Sequence, residues 1–371
     1  MGSDTLGLDT FKRRTLDWLK AREERPRSYP IEEADLITVS ACVLCGSTST
    51  STLTDVYLEE GLKICSTNVC HGCLYTFRSL SPSYGWFRKC WRMISTKRLE
   101  VFNPSVETLR DARYAQYHRL LSKYVTNSAA GLDVGAGYGT GTKVFQDQGY
   151  RMEALETEDD KAYYIEHALR LPVHTIPIEE FVLPGKPYGV VIVAHCLEHL
   201  DDPVLAMSRI RSLLDPRQGI LYLEVPIVWN SVTWSDALYL THKSNFTIEN
   251  LVGLVTAQGF RIVEHVWVRH TAEDPWDLGL VLTLGRTGPT APPDLADHYT
   301  VSDIRRLYRK GLPVSHLPAL ESVITYRVPH VDHFYQTLRL DANRLVEPPP
   351  GSAVISFERI EDGQGDGGRA W

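Results

Sequence analysis

The stretch Gly131-Leu132-Asp133-Val134-Gly135-Ala136-Gly137-Tyr138-Gly139-Thr140-Gly141 decides the fold. Leu132-Asp133-Val134 reads as a short strand. The glycines behind it allow positive φ and bring bare backbone close to a ligand. A helix over 140–148 follows, and its first N–H groups have no partner within the helix. The next strand, Met152–Glu156, ends in a carboxylate about 20 residues further on, the position from which an acidic residue reaches two ribose hydroxyls.

Three ligand classes compete for such a loop. A dinucleotide fingerprint, G-x-G-x-x-G counted from Gly135, meets Thr140 at its sixth position. A P-loop requires glycine before Lys143, where Thr142 stands. Both patterns fail by one residue. What remains is Asp-x-Gly-x-Gly-x-Gly, led by Asp133.

Outward from this loop the chain alternates regularly. A helix over Asp159–Leu169 leads to a short strand, Val173–Ile176, and the apolar run Tyr188–His195 suits a buried parallel strand. Helix Pro203–Leu214, strand Ile220–Val225 and helix Thr247–Gln258 come next. Strands Arg261–Val268 and Leu278–Leu284 close the series without a helix between them, which predicts an antiparallel pair. Seven strands with helices between the first six predict a doubly wound α/β sheet over residues 126–286.

Around this domain the sequence divides further. Residues 1–37 form an N-terminal helical segment, with a polar helix over 10–25 that stops near Pro26. Residues 38–80 form a cysteine module, and 81–125 an aromatic, basic, helical connector broken at Pro104. Residues 287–347 begin with Pro289, Pro292 and Pro293 and read as a helical extension over 301–345, suited to an oligomer or partner contact. Residues 348–371 read as a flexible tail.

Six of the seven cysteines fall between Cys42 and Cys90. Cys42-x-x-Cys45 and Cys70-x-x-Cys73 are two short pairs that together complete a tetrahedral, closed zinc site. Cys65 and His71 are rivals for one ligand position. Cys90 and Cys196 read as small apolar packing residues. Clustered thiolates point to a reducing cytoplasm, and no apolar run reaches the roughly 20 residues that span a bilayer. The formal charge of −7 gives no general pull toward nucleic acid.

The runs LDVGAGYGTG, ALETE, VVIVAHCLEHLDDP and ILYLEVP resemble, in order and spacing, the class I S-adenosylmethionine-dependent methyltransferases over roughly residues 105–285. The resemblance is closest to the branch with H-x-L-E-H after the fourth strand. It implies a seven-stranded Rossmann-like sheet that binds S-adenosylmethionine. Asp133, Gly135, Ala136 and Gly137 would lie at the methionine end, Glu156 would hold the ribose, Pro177 and Ile178 would flank the adenine, and His195 would sit near the sulfonium. The text CVLCGS … CHGCLYTFRS resembles the N-terminal zinc module of sugar C-methyltransferases, where the module helps cover the acceptor pocket. The zinc module of certain ribosomal RNA methyltransferases is a second precedent, which would make Arg88-Lys89-Cys90-Trp91-Arg92 a phosphate reader. Charge balance argues against it.

Methyl transfer from a sulfonium is an in-line displacement that positions an acceptor and removes a proton from a hydroxyl or carbon acid. His195, His199, His242, Glu198 and Glu224 gather beyond the fourth and fifth strands. The sugar C-methyltransferases carry Y-H-E-H-L-S-Y-F where this chain reads Tyr239-Leu-Thr241-His242-Lys-Ser-Asn245-Phe246. His242 matches their base, with Thr241 and Asn245 as departures. His242, His199 and Glu224 are therefore the acid–base candidates, Glu224 as a buried carboxylate partnered by His242 or by the acceptor. Tyr84, Trp86, Phe87, Trp229 and Trp234 are candidates for the acceptor pocket. The reading is methyl transfer to a small molecule, such as a sugar or natural-product intermediate. An RNA methyltransferase and a non-catalytic scaffold are the alternatives, and the chain lacks the second Rossmann-like domain of full-length sugar C-methyltransferases.

Overall fold

The central strands are apolar on both faces, and that is what buries them. In the computed structural model, β5 (Ala130–Val134), β8 (Val190–Ala194) and β9 (Ile220–Pro226) lie parallel and adjacent, and every residue of β8 and β9 is buried. The structure describes residues 31–58, 60–88, 104–183, 185–227, 241–269, 276–284, 299–308, 324–328 and 354–356. Leu132, Val134, Val191, Val193, Leu221 and Leu223 feed one core. Val190, Ile192 and Tyr222 feed a second on the opposite face, with Tyr117, Leu121 and Phe145.

The remaining strands extend this trio on both sides. β6 (Arg151–Leu155) and β7 (Val173–His174) continue it in parallel beyond β5. β11 (Arg261–Arg269) and β12 (Asp277–Thr283) pair antiparallel, as their direct connection predicts, and β12 slots in beside β9. The seven strands run β7-β6-β5-β8-β9-β12-β11. The order reverses between β5 and β8, the crevice where ligands of such sheets bind.

Helices α1 (Pro104–Leu121), α2 (Thr140–Asp147), α3 (Asp159–Tyr164), α4 (Pro203–Leu213) and α5 (Ile248–Ala257) accompany the sheet. Helix α1 begins at Pro104, as expected for a proline that precedes the helix read over Val106–Tyr124, since the first helical position needs no N–H partner. Asp202 caps α4 by accepting from the Leu205 N–H, and Thr247 with Asn250 forms a capping box for α5. Gly141 lets α2 approach α1, because a Cβ there would meet the Tyr114 ring at 2.2 Å.

The cysteine region builds a second sheet from β1 (Leu36–Thr38), β2 (Thr50–Leu58), β3 (Lys63–Cys70) and β4 (Thr76–Pro82), antiparallel in the order β1-β4-β3-β2. A two-residue strand from the loop after β9, β10 (Ser244–Asn245), pairs with β4 through Phe77 and Thr76. The loop that bears His242 is thus stitched to the cysteine module.

Two expectations for the C-terminal region are corrected. Within 301–345 the described residues form one helix, α6 (Val301–Leu307), and one strand, β13 (Ile324–Val328), parallel to β2. Ile324-Thr-Tyr-Arg-Val328 consists mostly of β-branched and aromatic residues, which favour an open sheet edge over a helix. Within 348–371, Val354–Ser356 forms β14, parallel to β11, as an eighth strand. The helix expected over 10–25, and residues Lys89, Cys90, Trp91, Arg92, Trp229, Trp234 and Tyr239, lie outside the described residues. Among the described residues no helix is long and apolar enough to cross a membrane.

Candidate functional site

Gly135, Gly137 and Gly139 all take positive φ, at 71°, 58° and 75°. Their roles differ. A Cβ on Gly135 would meet Cys196 Sγ at 2.7 Å, so this glycine lets the loops after β5 and β8 touch at the switch point. Cys196 fills that contact as a small residue. A Cβ on Gly137 would meet nothing within 4 Å, so here the bare backbone faces open space. Ala136, between them, packs with Ala154, Ile165 and Leu171.

Glu156 stands under this opening at the end of β6. Its Oε2 accepts from the Gly137 N–H at 2.8 Å and its Oε1 from the Glu158 N–H at 2.9 Å. Burial raises its pKa to about 7. Asp133 lies beneath the loop, 1% exposed, with Oδ2 accepting from Thr142 Oγ1 at 2.9 Å. It therefore ties β5 to the first turn of α2 instead of projecting into the crevice. Burial raises its pKa to about 6. Ile178 belongs to the core, and Pro177 is half-buried on the turn before it.

At the end of β8, His195 adopts φ 52°, a left-handed conformation that costs a non-glycine residue about 1–3 kcal/mol. Its surroundings explain why the conformation persists. The backbone N–H donates to the Glu224 carbonyl at 3.0 Å. The ring Nε2 lies 3.0 Å from Glu224 Oε1 and 3.2 Å from Asp277 Oδ2, and Nδ1 lies 3.5 Å from Glu198 Oε1. Burial opposes a charge on this ring, but Asp277, Glu198 and Glu224 outweigh it and carry its pKa well above the usual value. Glu224 Oε2 also accepts from the hydroxyls of Tyr117, at 2.6 Å, and Tyr222. The partnership expected between Glu224 and His242 is corrected accordingly. Tyr222, two residues earlier on the same face of β9, and Tyr117 on α1 capture the carboxylate instead.

His199 and His242 do come together, with ring centroids 4.8 Å apart. His199 sits on a single turn, Leu197–His199, with Nδ1 3.0 Å from the Thr241 carbonyl. That contact requires the N–H at Nδ1 and turns Nε2 toward Glu198 Oε1 at 3.8 Å. Burial, then His199 and Arg78, hold the His242 pKa well below the usual value, so this imidazole is neutral.

The loop that bears His242 is gripped by the second sheet. Arg78 Nε donates to the His242 carbonyl at 3.0 Å, and Tyr75 and Ser244 share a hydroxyl hydrogen bond. Lys243 Nζ donates to Ser81 Oγ and the Pro82 carbonyl, both at 2.8 Å, and pairs with Asp201 at 2.9 Å. The departures at 241 and 245 have structural uses. The Thr241 carbonyl orients His199, and Asn245 Nδ2 donates to the Tyr308 hydroxyl at 2.8 Å.

Sequence reasoning missed Asp277, Tyr117, Tyr222, Arg78 and Lys243. Asp277 offered one signal, a carboxylate opening an otherwise apolar strand. Tyr117 offered none, because a tyrosine on a helix reads as core.

The four sulfurs of Cys42, Cys45, Cys70 and Cys73 lie within 4.8 Å of one another, with Cys42–Cys73 at 3.6 Å and Cys45–Cys70 at 3.5 Å. Tetrahedral sulfurs about 2.3 Å from zinc stand about 3.8 Å apart, so the donor set fits that ion. The Gly72 N–H donates to Cys70 Sγ at 3.3 Å. The rivals lie elsewhere. Cys65 is buried within β3 opposite Val56, and His71 contacts the hydroxyls of Ser49 and Ser51.

Residues 107–265 match a family model described as a methyltransferase domain. The chain carries a methyltransferase domain. No curated protein matches the chain. Among solved structures it is similar to a SAM-dependent methyltransferase from Archaeoglobus fulgidus, at 20% identity and TM-score 0.41 over 47% of this chain and 93% of that one. It is also similar to the 1,6-didemethyltoxoflavin-N1-methyltransferase of Burkholderia thailandensis, at 21% identity and TM-score 0.43 over 59% and 94%. A third is the N-methyltransferase NodS of Bradyrhizobium japonicum WM9, at 18% identity and TM-score 0.39 over 47% and 96%.

Proposed function

We propose that this methyltransferase domain takes its methyl group from S-adenosylmethionine and passes it to a small-molecule acceptor, such as a sugar or natural-product intermediate. The observation that carries the reading is the open side of Gly137 above Glu156 at the reversal of strand order. When bound, the cofactor supplies an electrophilic methyl on a cationic sulfur.

Each chain residue then has a task. Each Glu156 oxygen already accepts one backbone N–H and retains a lone pair for a ribose hydroxyl. Pro177 and Ile178 flank the adenine. Gly135 and Gly137 admit the methionine portion, with Asp133 holding their loop to α2. The buried carboxylates of Glu224 and Asp277, the two nearest the His195 ring, place negative potential on that side of the crevice, which favours a sulfonium over the neutral thioether product. His199 and His242 are the acceptor-side pair and activate the acceptor atom. Cys42, Cys45, Cys70 and Cys73 hold a structural zinc ion with no open position, and through β4 and β10 that module keeps His242 in place.

Incubation with tritiated-methyl S-adenosylmethionine and fractionated cell extract tests the proposal. Label is expected in a small-molecule fraction, and its formation should fall at least tenfold with His242→Ala. Label confined to RNA, or its absence from every fraction, would overturn the assignment of substrate class.

A further inference from the structure

We infer that Glu198, His199 and His242 form a second metal site, distinct from the four cysteines, which takes a divalent first-row transition ion on the acceptor side of the crevice. The inference rests on the methyltransferase reading for its purpose and on geometry for its existence.

Glu198 is the decisive residue. It is 0% exposed, and neither of its carboxylate oxygens has a hydrogen-bond partner among the described residues. Two ring nitrogens stand near its Oε1, His195 Nδ1 at 3.5 Å and His199 Nε2 at 3.8 Å. The His195 ring lies closer to two other carboxylates, Glu224 at 3.0 Å and Asp277 at 3.2 Å. Glu198 is thus a third buried carboxylate placed on one imidazole ring, and a bound cation would satisfy it.

The two histidines complete the ligand set. Because the Thr241 carbonyl holds an N–H of His199 at Nδ1, Nε2 is the ring nitrogen turned toward Glu198, 3.8 Å from its Oε1, a gap too wide for a hydrogen bond. Ligating imidazoles are commonly held in this way, by donation from the other ring nitrogen. One ligand atom from each of Glu198, His199 and His242 lies within 4.8 Å of the other two. Ligands with bonds near 2.1 Å stand about 3.0–3.4 Å apart around a shared ion, so small side-chain rotations bring these three onto one centre. Arg78 fixes the His242 backbone, which limits the rotation to the side chain. Two imidazoles and one carboxylate suit iron(II), manganese(II), cobalt(II) or zinc and leave coordination positions open. An oxygen of the acceptor fills one of them, polarised by the ion as a Lewis acid. The His199–His242 pair activates the acceptor by holding this ion.

Manganese(II) is the probe, because a nitrogen and oxygen site takes it without displacing zinc from thiolates. The whole zinc-loaded chain should remove one equivalent of free manganese from the electron paramagnetic resonance spectrum. Spin-echo modulation of the bound ion should show nitrogen-14 coupling from imidazole. Glu198→Gln and His242→Ala should each weaken binding by about tenfold or more, while calorimetric affinity for S-adenosylhomocysteine stays within about twofold. Absence of bound manganese in the wild-type protein, or bound manganese without nitrogen coupling, overturns the proposal without recourse to variants. Manganese binding that both variants leave unchanged does the same. Failure of the wild-type protein to bind S-adenosylhomocysteine would sink the methyltransferase reading instead, so the two failures are separable.

Discussion

Arg78 donates from Nε to the carbonyl oxygen of His242 across 164 residues of sequence, from the cysteine module to the acceptor-side loop. The two-strand contact between β4 and β10 and the buried Lys243 ammonium reinforce the same junction. The position of His242 therefore depends on a sheet whose turns carry the four clustered cysteines. Chelation of zinc should loosen the loop while sparing the cofactor crevice, which is built on other strands. Hydrogen exchange should rise at residues 241–246 and acceptor turnover should fall, with affinity for S-adenosylhomocysteine changed less than about threefold. Arg78→Leu should reproduce this in milder form and cost about 1–3 kcal/mol in urea denaturation, the penalty of leaving buried partners unsatisfied.

The glycines of the loop separate folding from binding. Gly141→Ala drives a methyl group into Tyr114 between α1 and α2, and about 1–3 kcal/mol of destabilisation is expected. Gly137→Val meets no protein atom, but it strains a φ of 58° and fills the opening above Glu156. It should melt within a few degrees of wild type and lose cofactor affinity at least tenfold. Paired thermal melts and calorimetry check both.

On the proposed reading, Glu156 makes cofactor binding depend on pH. Its carboxyl titrates near 7 in the folded protein against an ordinary 4.5, because burial disfavours the charge. Between those values the folded state holds a proton that the unfolded state has released, so this group's contribution to stability is lost as pH rises through that window. Ribose hydroxyls donate to the ionised form, so cofactor affinity should move the opposite way and strengthen from pH 6 to pH 8. Calorimetry at three pH values should show this trend, and Glu156→Gln should flatten it.

Removal of His195 should be costly for a different reason. His195→Ala leaves Glu198, Glu224 and Asp277 buried without their shared cation, and breaking a buried charge pair typically costs about 3–5 kcal/mol. Denaturation at pH 7 and at pH 5 should show part of the loss recovered at the lower pH, where protonation relieves the carboxylates.

The glycine loop, Glu156 and the parallel apolar strands were legible because each rests on local constraints: a backbone conformation, a strand end, burial on both faces. The cysteine quartet was legible from spacing alone, and the structure sets Cys65 aside because its side chain lies within β3, away from the turns. The network around His195 was not legible, since Tyr117 and Asp277 reach it from elements 78 residues before and 82 residues after it in the chain. Nothing local marks such partners. The strands at Ile324 and Val354 were hidden for a related reason: an isolated strand of three to five residues forms only where a sheet edge is open to receive it.

Calorimetric titration of the zinc-loaded chain with S-adenosylhomocysteine, wild type beside Glu156→Ala, tests the central claim most directly. One site per chain, weakened at least tenfold by the substitution, is the expected result. No heat of binding in the wild type, or equal affinity in both proteins, would contradict the assignment of the crevice between β5 and β8 as an adenosyl sulfonium site.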